Sequence, residues 1–157
     1  AWKSDYFVKR SYEYTVDFSK EKPEARFAIT YNHTATEKDW RVNNYQSFFR
    51  LYVPKGSWLV SSEGFSSEPV FGEELGRKTL GGIVRVPLGT EKTASLTYAL
   101  PDTISSSFYE LDIEKQPGLH RIPVSVTVIK KDGSRIRKQF VLERNVRLLA
   151  TGELIDQ

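Results

Sequence analysis

The chain has 157 residues, which is enough for one domain with a sizeable core. Its net charge is +3, and basic and acidic side chains are intermixed along it, so the composition does not favour nucleic acid as a partner. Cysteine is absent, which excludes a disulfide framework and a thiolate metal site.

The sequence also bears on where the chain resides. Methionine is absent even at residue 1, which predicts a processed or excised piece of a longer protein. No apolar run approaches the roughly 18 residues of a membrane span, and no signal peptide is present. A cysteine-free chain fits a Gram-positive-type exterior as well as a cytosol. We therefore expect that any export signal or membrane anchor lies upstream of Ala1.

Alternation of apolar and polar residues with period two predicts strand after strand along the chain. No segment shows a helical period, and no linker divides the chain. Residues 34–44 and 61–78 are predicted loops, the second with a short edge piece at 69–71. The predicted strands are 11–18, 25–33, 45–53, 79–86, 93–100, 108–115, 122–130 and 135–142, with extended chain at 58–60 and a final edge strand beyond Asn145.

The stretch Tyr45–Val60 shows the alternation most clearly. Phe48, Arg50 and Tyr52 share one face of the predicted strand, and the apolar residues between them share the other. Pro54 cannot donate to a β-ladder, so it ends the strand and begins a turn. Two such faces predict a central strand of a two-sheet packing, and we expect this strand to be the axis of the domain.

Turn residues complete the prediction of the fold. Asp132-Gly133 predicts a tight hairpin, and Gly81-Gly82 predict a bulge or a close approach of two backbones. Eight or nine strands with regular turns predict an all-β fold, an antiparallel β-sandwich of immunoglobulin- or fibronectin-like class. We expect residues 1–147 to form this single domain and residues 148–157 to form an edge strand or a frayed tail.

No pattern in the sequence predicts an enzyme. His33 and His120 are the only histidines, and His33 with Asp39 and a serine could form a hydrolytic triad, yet the G-x-S-x-G and H-E-x-x-H motifs are absent. His33 is in phase with buried strand residues, so a structural role is favoured, and His120 beside a turn is expected to be solvated. The acids of 61–78 lack the spacing of a calcium loop. We expect no catalytic residue, metal or cofactor.

Aromatic residues suggest one candidate binding site. Trp40 lies in a predicted loop and is the tryptophan best placed for display, with Tyr45 following at the start of a strand. Flat exposed rings can stack on sugars, and Asn43 and Asn44 could supply hydrogen bonds. Packing in the core is the alternative for most of the aromatic residues.

A basic hairpin is the second candidate site. It is the densest charge cluster of the chain, and it could bind a polyanion such as teichoic acid, nucleic acid or a lipid surface. The alternative, which we favour, is that these cations protect an exposed sheet edge from pairing with other chains. Replacing two of them with serine would then raise association, whereas loss of polymer binding would indicate the first role. The basic residues are Lys130, Lys131, Arg135, Arg137 and Lys138.

Four stretches together resemble a bacterial family of large, membrane-anchored surface proteins, in the C-terminal region that forms a domain of unknown function. They are ITYNHT, YQSFFRLYVPKGSWLV with Gly64-Phe65, GRKTLGGIVRVPLGTEKTASLTYALP and YELDIEKQPG. The resemblance covers roughly residues 25–130, and Val86-Pro87-Leu88-Gly89 departs from the Pro-Pro or Pro-Gly that is usual there. It implies an extracytoplasmic β-sandwich behind an upstream membrane helix, and it implies no catalytic residues.

We therefore expect a non-catalytic module of a larger bacterial cell-surface protein, with a structural, adhesive or interaction role. A carbohydrate- or anionic-polymer-binding module is the alternative, and a hydrolase is a less favoured one. The expected partners are other envelope proteins or a cell-wall polymer, with no nucleic acid and no membrane contact by this chain itself. A monomer located at the cell envelope is expected.

Overall fold

The computed structural model describes residues 3–119 and 121–157. Within these ranges the chain forms twelve β-strands and one 3-10 helix, η1, and it forms no α-helix, so the predicted all-β class is confirmed. The elements are η1 Lys3–Phe7, β1 Val8–Asp17, β2 Glu24–His33, β3 Tyr45–Val53, β4 Trp58–Glu63, β5 Val70–Glu74, β6 Arg77–Val86, β7 Glu91–Ala99, β8 Glu110–Ile113, β9 Ile122–Ile129, β10 Arg135–Leu142, β11 Val146–Leu149 and β12 Leu154–Asp156.

The prediction of eight or nine strands is wrong because two regions hold more strands than their patterns indicate. The stretch 61–78, predicted as a loop with a short edge piece at 69–71, contains the end of β4 and the whole of β5, which overlaps that piece and extends three residues beyond it. All five residues of β5 are exposed, so no burial-driven alternation marks this strand in the sequence. The C-terminal segment forms both β11 and β12. Leu148 of β11 is buried in the core, and β12 is an edge strand of the sheet that it forms with β11 and β8.

The strands form three sheets. Sheet A has the order β10-β9-β1-β2-β7-β4, sheet B the order β3-β6-β5, and sheet C the order β12-β11-β8. Paired strands are antiparallel except β1 and β9, which run parallel with Tyr12 opposite Val124. Sheet A is therefore mixed, which corrects the expectation of a purely antiparallel fold. The parallel pair also places the beginnings of β1 and β9 at the same end of the molecule.

Sheets B and C pack on one face of sheet A. Tyr14 of β1 and Val126 of β9 belong to the same cluster of buried side chains as Leu80 of sheet B and Leu148 of sheet C. These side chains are almost completely removed from water, which is the dominant favourable contribution to folding.

Strand β3 alternates as predicted but lies at an edge. Phe48, Arg50 and Tyr52 are exposed, and the residues between them are buried or half-buried. Because β3 pairs only with β6 in sheet B, the prediction of a central strand is wrong. A Cβ on Gly81 would lie 2.4 Å from the Phe49 carbonyl oxygen, so the predicted close backbone approach is confirmed. The β3–β6 register is continuous, so there is no bulge at this glycine.

Three buried tyrosine hydroxyls form a hydrogen-bonded chain in the core. The Tyr14 hydroxyl lies 3.0 Å from that of Tyr98 and 2.5 Å from that of Tyr109. Each of the outer two hydroxyls depends on Tyr14 as its hydrogen-bond partner among the described residues. Buried hydroxyls without partners are costly, so Tyr14 is the centre of this network.

We expect Tyr14→Phe to lower the free energy of unfolding by about 2 kcal/mol, because it leaves two buried hydroxyls without their partner. Tyr98→Phe should cost about 1 kcal/mol, since the Tyr14–Tyr109 bond is retained. Urea denaturation of both variants measures the difference. A Tyr98→Phe variant that is destabilised as much as Tyr14→Phe would contradict the central role of Tyr14.

Candidate binding cleft

The structure places the two predicted aromatic site residues in different surroundings. Trp40 lies in the loop between β2 and β3 and is 78% exposed, with the Arg41 guanidinium 5.5 Å from the centre of its ring. Tyr45 is half-buried at the start of β3, where its hydroxyl accepts a hydrogen bond from Arg10 at 2.6 Å. Its ring packs 6.0 Å from that of Tyr31. Tyr45 is therefore built into the wall of the domain, and Trp40 is displayed.

The two asparagines that were expected to serve a ligand hold the loop together. The Asn43 side-chain oxygen accepts a hydrogen bond from the Asn44 backbone at 2.8 Å, and the Asn44 side-chain oxygen accepts one from the Leu88 backbone at 3.2 Å. The Asn43 backbone donates to the buried Ser4 hydroxyl at 3.0 Å, which ties the loop to η1. Buried Val42 anchors the same loop.

A cleft of about 960 Å³ lies beside this loop. Helix η1 and the first residues of β1 form one side, and residues 118–119 and 121–123 form another. Basic side chains outnumber acidic ones in its lining, so the cleft favours an anionic ligand. The charged residues of the lining are Asp5, Lys9, Arg10, Arg41 and Arg121.

Parallel pairing brings two of these cations together. The register begins with Tyr12 opposite Val124, and Lys9 and Arg121 each lie three residues before this first pair, where both line the cleft. These two residues are far apart in the sequence, and nothing local marks either one. The sequence analysis missed both for this reason, since it did not predict that β1 and β9 are neighbours.

Acidic neighbours position the arginines of the cleft. Arg41 pairs with Asp39 at 3.0 Å, and hydrogen bonds from the Arg41 backbone lower the pKa of the Asp39 carboxyl. Arg121 pairs with Glu143 at 2.9 Å. Among the described residues, the ion pairs do not include Lys9. The ammonium of Lys9 is therefore available to an anion from solution.

Arg10 is a buried cation at the inner wall of the cleft. It pairs with Asp5 and donates to the Tyr45 hydroxyl and, at 3.2 Å, to the Val8 carbonyl. Burial by itself would lower the pKa of Arg10, but Tyr45 and Asp5 raise it above its usual value. Arg10 therefore stays charged and holds η1 against β1 and β3.

The histidine–aspartate arrangement of a hydrolase is not formed around His33. His33 is buried, its Nε2 donates to the Asn43 carbonyl at 3.0 Å, and its Nδ1 accepts from the Ala35 backbone at 3.3 Å. Asp39 is occupied by Arg41 and by the backbone of Val42. His33 thus has the structural role that its phase in β2 predicts. His120 lies outside the described residues.

The basic hairpin lies at the other end of β9, about 25 Å from the cleft at 3.3 Å per residue. The Asp-Gly turn is confirmed, with Gly133 at φ +83° and β9 antiparallel to β10. Arg135, Arg137 and Lys138 are all exposed, and Lys138 is in phase with half-buried Ile136. Lys130 and Lys131 flank the turn, and the ion pairs of residues 3–119 and 121–157 include none of these five cations.

Strand β10 is an edge strand of sheet A, as the proposed role in edge protection requires. A Cβ on Gly152 would lie 3.4 Å from the Lys138 Cε, so the stem of Lys138 lies against the turn between β11 and β12. Lys138 is nevertheless exposed, and charged side chains, especially lysines, on an edge strand are one of the features by which natural sheets avoid edge-to-edge pairing.

No known protein family and no curated protein matches this chain. The resemblance to bacterial surface proteins therefore stays a prediction. Among the described residues, no helix is long and apolar enough to cross a membrane.

Proposed function

We propose that the chain is a non-catalytic β-sandwich module that binds an anionic polymer at its cationic cleft, as part of a larger protein of the bacterial cell surface. The observation that carries this proposal is the convergence of Lys9, Arg41 and Arg121 on one open cleft, although three separate segments supply them. Cations that gather in a concave site raise the local concentration of an anionic partner.

The sandwich of immunoglobulin- or fibronectin-like class is supported by the packing of sheets B and C on one face of sheet A. This two-layer arrangement leaves the ends of the layers free to carry binding loops. The cleft lies at such an end, next to the loop that carries Trp40. The outlying strands β5 and β12 are additions to a simple sandwich.

The lining suits a phosphate- or carboxylate-bearing polymer better than a neutral one. Arginine guanidinium groups bind such anions through two parallel hydrogen bonds, and Arg41 and Arg121 are held in place by their carboxylate partners. Tyr6, which lines the cleft and is 74% exposed, adds a flat aromatic surface, and Trp40 adds another beside Arg41. The proposed ligand is thus a repeating polyanion such as a teichoic acid or an acidic polysaccharide.

The proposal is tested with the double variant Lys9→Ser and Arg121→Ser, using isothermal titration with poly(glycerol phosphate) and with a neutral glucan. We expect the variant to bind the polyanion about fivefold more weakly, since two exposed cations together contribute on the order of 1 kcal/mol. Binding by the natural sequence should fall steeply as salt is added, because the attraction is electrostatic.

The matched control is Lys131→Ser with Arg135→Ser, which removes the same charge at the far end of β9. This control should bind the polyanion as tightly as the natural sequence does. Equal loss in both variants would show that net charge alone acts, and selective loss in the control would place the site at the basic hairpin. Equal affinity for the neutral glucan would also contradict the proposal.

A further inference from the structure

Strands β5 and β10 end sheets B and A with unpaired backbone edges. Strand β5 pairs only with β6, and β10 pairs only with β9. Such edges present rows of N–H and C=O groups that can pair with another chain. The described hydrogen bonds contain none that would satisfy these groups on the free side of either strand.

Strand β5 has few of the features that protect an edge. All five of its residues are exposed, and Val70 and Phe71 keep 59% and 47% of their surface in contact with water. The turn that follows places Leu75 at φ +53° with 90% of its surface exposed. A leucine in the left-handed region is uncommon, so the end of this hairpin displays an apolar side chain at a conformational cost.

The sequences of the two edges are complementary when they are set antiparallel. With Glu74 opposite Arg137, Glu73 falls opposite Lys138, so both acids of β5 meet a cation of β10. All but one of the remaining pairs are apolar on both sides, and opposite residues of this kind stabilise a sheet, whereas Gly72 leaves room beside the larger Gln139. The remaining pairs are Gly72 with Gln139, Phe71 with Phe140 and Val70 with Val141, followed by Leu75 with Ile136 beyond the end of β5.

Other registers lose this match. A shift by one or two residues in either direction retains at most one of the two ion pairs, and it sets Phe71 opposite Lys138, Gln139, Val141 or Leu142. The register with both ion pairs also keeps inner faces together, since Phe71 shares a face with buried Leu80 and Phe140 shares one with buried Leu142.

We propose that the β5 edge of one copy of this chain pairs antiparallel with the β10 edge of a second copy, in the register that joins Glu73 to Lys138 and Glu74 to Arg137. The contact is heterologous, because it joins two different surfaces, so it can continue from copy to copy into an open chain. The pairing is independent of the cleft.

In this arrangement the cations of β10, Arg137 and Lys138, act in two ways. They oppose pairing of β10 with a second β10, as edge protection requires, and they favour the acidic edge of β5. At low protein concentration the chain would then be a monomer, as the sequence predicts. Each cross-strand pair contributes little, so association should appear only at high concentration or where copies are held together on a surface.

The test compares the natural sequence with Glu73→Lys, Lys138→Glu and the double variant that carries both changes, by sedimentation velocity at rising protein concentration and low salt. We expect the natural sequence to gain mass with concentration and added salt to suppress the gain. Each single variant should stay monomeric. The double variant, and an equimolar mixture of the two single variants, should associate again because the opposite charges are restored.

Glu91→Lys on β7, inside sheet A, makes the same charge change away from both edges and should associate as the natural sequence does. Thermal unfolding of every variant shows whether it is folded. Should Lys138→Glu fail to fold, Arg137→Glu with Glu74→Lys replaces the pair. Because Glu74 also pairs with Arg50 within the chain, Arg50→Gln serves there as the control for loss of that contact. A natural sequence that stays monomeric at all concentrations, or a double variant that fails to regain association, overturns the proposal.

Discussion

Replacing Gly64 with alanine is expected to lower the free energy of unfolding by about 4 kcal/mol. Gly64 follows β4 at φ +79°, which costs an L-residue about 1–2 kcal/mol. A Cβ there would lie 2.1 Å from the Thr93 carbonyl oxygen and 3.0 Å from the Ala94 Cα, and both atoms belong to the backbone of β7. Strand β7 is paired on both sides, so its backbone cannot move away without breaking hydrogen bonds. Overpacking therefore adds about 1–3 kcal/mol to the loss of stability.

Gly64 matters because the chain crosses there from sheet A to sheet B. Immediately after it, the Phe65 ring stacks 5.4 Å from Phe49, and the Ser66 backbone donates to the Ile83 carbonyl at 2.8 Å. The same ring occupies the space beside Gly82, where a Cβ would lie 2.6 Å from the Phe65 Cδ1. A displaced Gly64 would therefore disturb the packing between both sheets.

Gly133→Ala is the matched control for this prediction. Gly133 has φ +83°, yet a Cβ there would meet nothing within 4 Å, so only the conformational cost of about 1–2 kcal/mol applies. Urea denaturation of both variants, analysed with a common slope, measures the difference. Equal destabilisation of the two would show that the close approach to β7 contributes nothing.

Raising the pH above 10 is expected to unfold the protein cooperatively. Burial raises the pKa of Tyr14, Tyr98 and Tyr109 above the usual value, and it raises the pKa of Tyr31 to about 12. In the unfolded chain these hydroxyls ionise near pH 10. Below pH 10 both states keep their protons and the stability is complete. Above it the unfolded state loses protons that the folded state retains, so stability falls with rising pH.

For Tyr31 alone the loss amounts to roughly 2 kcal/mol by pH 12, since one unit of pKa corresponds to about 1.4 kcal/mol. Ionisation of the three core tyrosines, Tyr14, Tyr98 and Tyr109, in the unfolded chain adds to this loss of stability. We expect the ultraviolet absorbance of tyrosinate to rise in one sharp step together with the loss of the circular dichroism of the strands. Tyr31→Phe should move this step to higher pH, because it removes one of the groups that favour unfolding.

A gradual ionisation of all tyrosines with the strands intact would contradict the alkaline prediction. An alkaline unfolding step of Tyr31→Phe at the same or a lower pH than that of the natural sequence would also contradict it. This comparison requires that the two proteins have equal stability at neutral pH. The stability at pH 7, measured by urea denaturation, corrects for loss of the 3.1 Å hydrogen bond from Tyr31 to Ser47.

Local patterns predicted the strands whose two faces differ. Strand β3 alternates because one face meets the core, and the turn after Val53 forms because Pro54 ends the ladder and Gly56 adopts φ +91°. For strand β5 the local patterns predicted only a short edge piece at 69–71 and missed its extension to Glu74, since the strand is exposed on both faces and pairing with β6 alone holds it. Its existence depends on a hydrogen-bonding partner rather than on burial.

The sequence by itself determined the all-β class, the hairpin at Asp132-Gly133 and the structural setting of His33, because each depends on residues that are neighbours along the chain. Only the tertiary structure decided which strands are edges and which ends of strands meet. The parallel pairing of β1 with β9 places the beginnings of both strands at the cleft that Lys9 and Arg121 line, and it places the basic hairpin at the opposite end of β9. Strand pairing between distant segments is chosen by the packing of the whole core, which no short stretch of sequence contains.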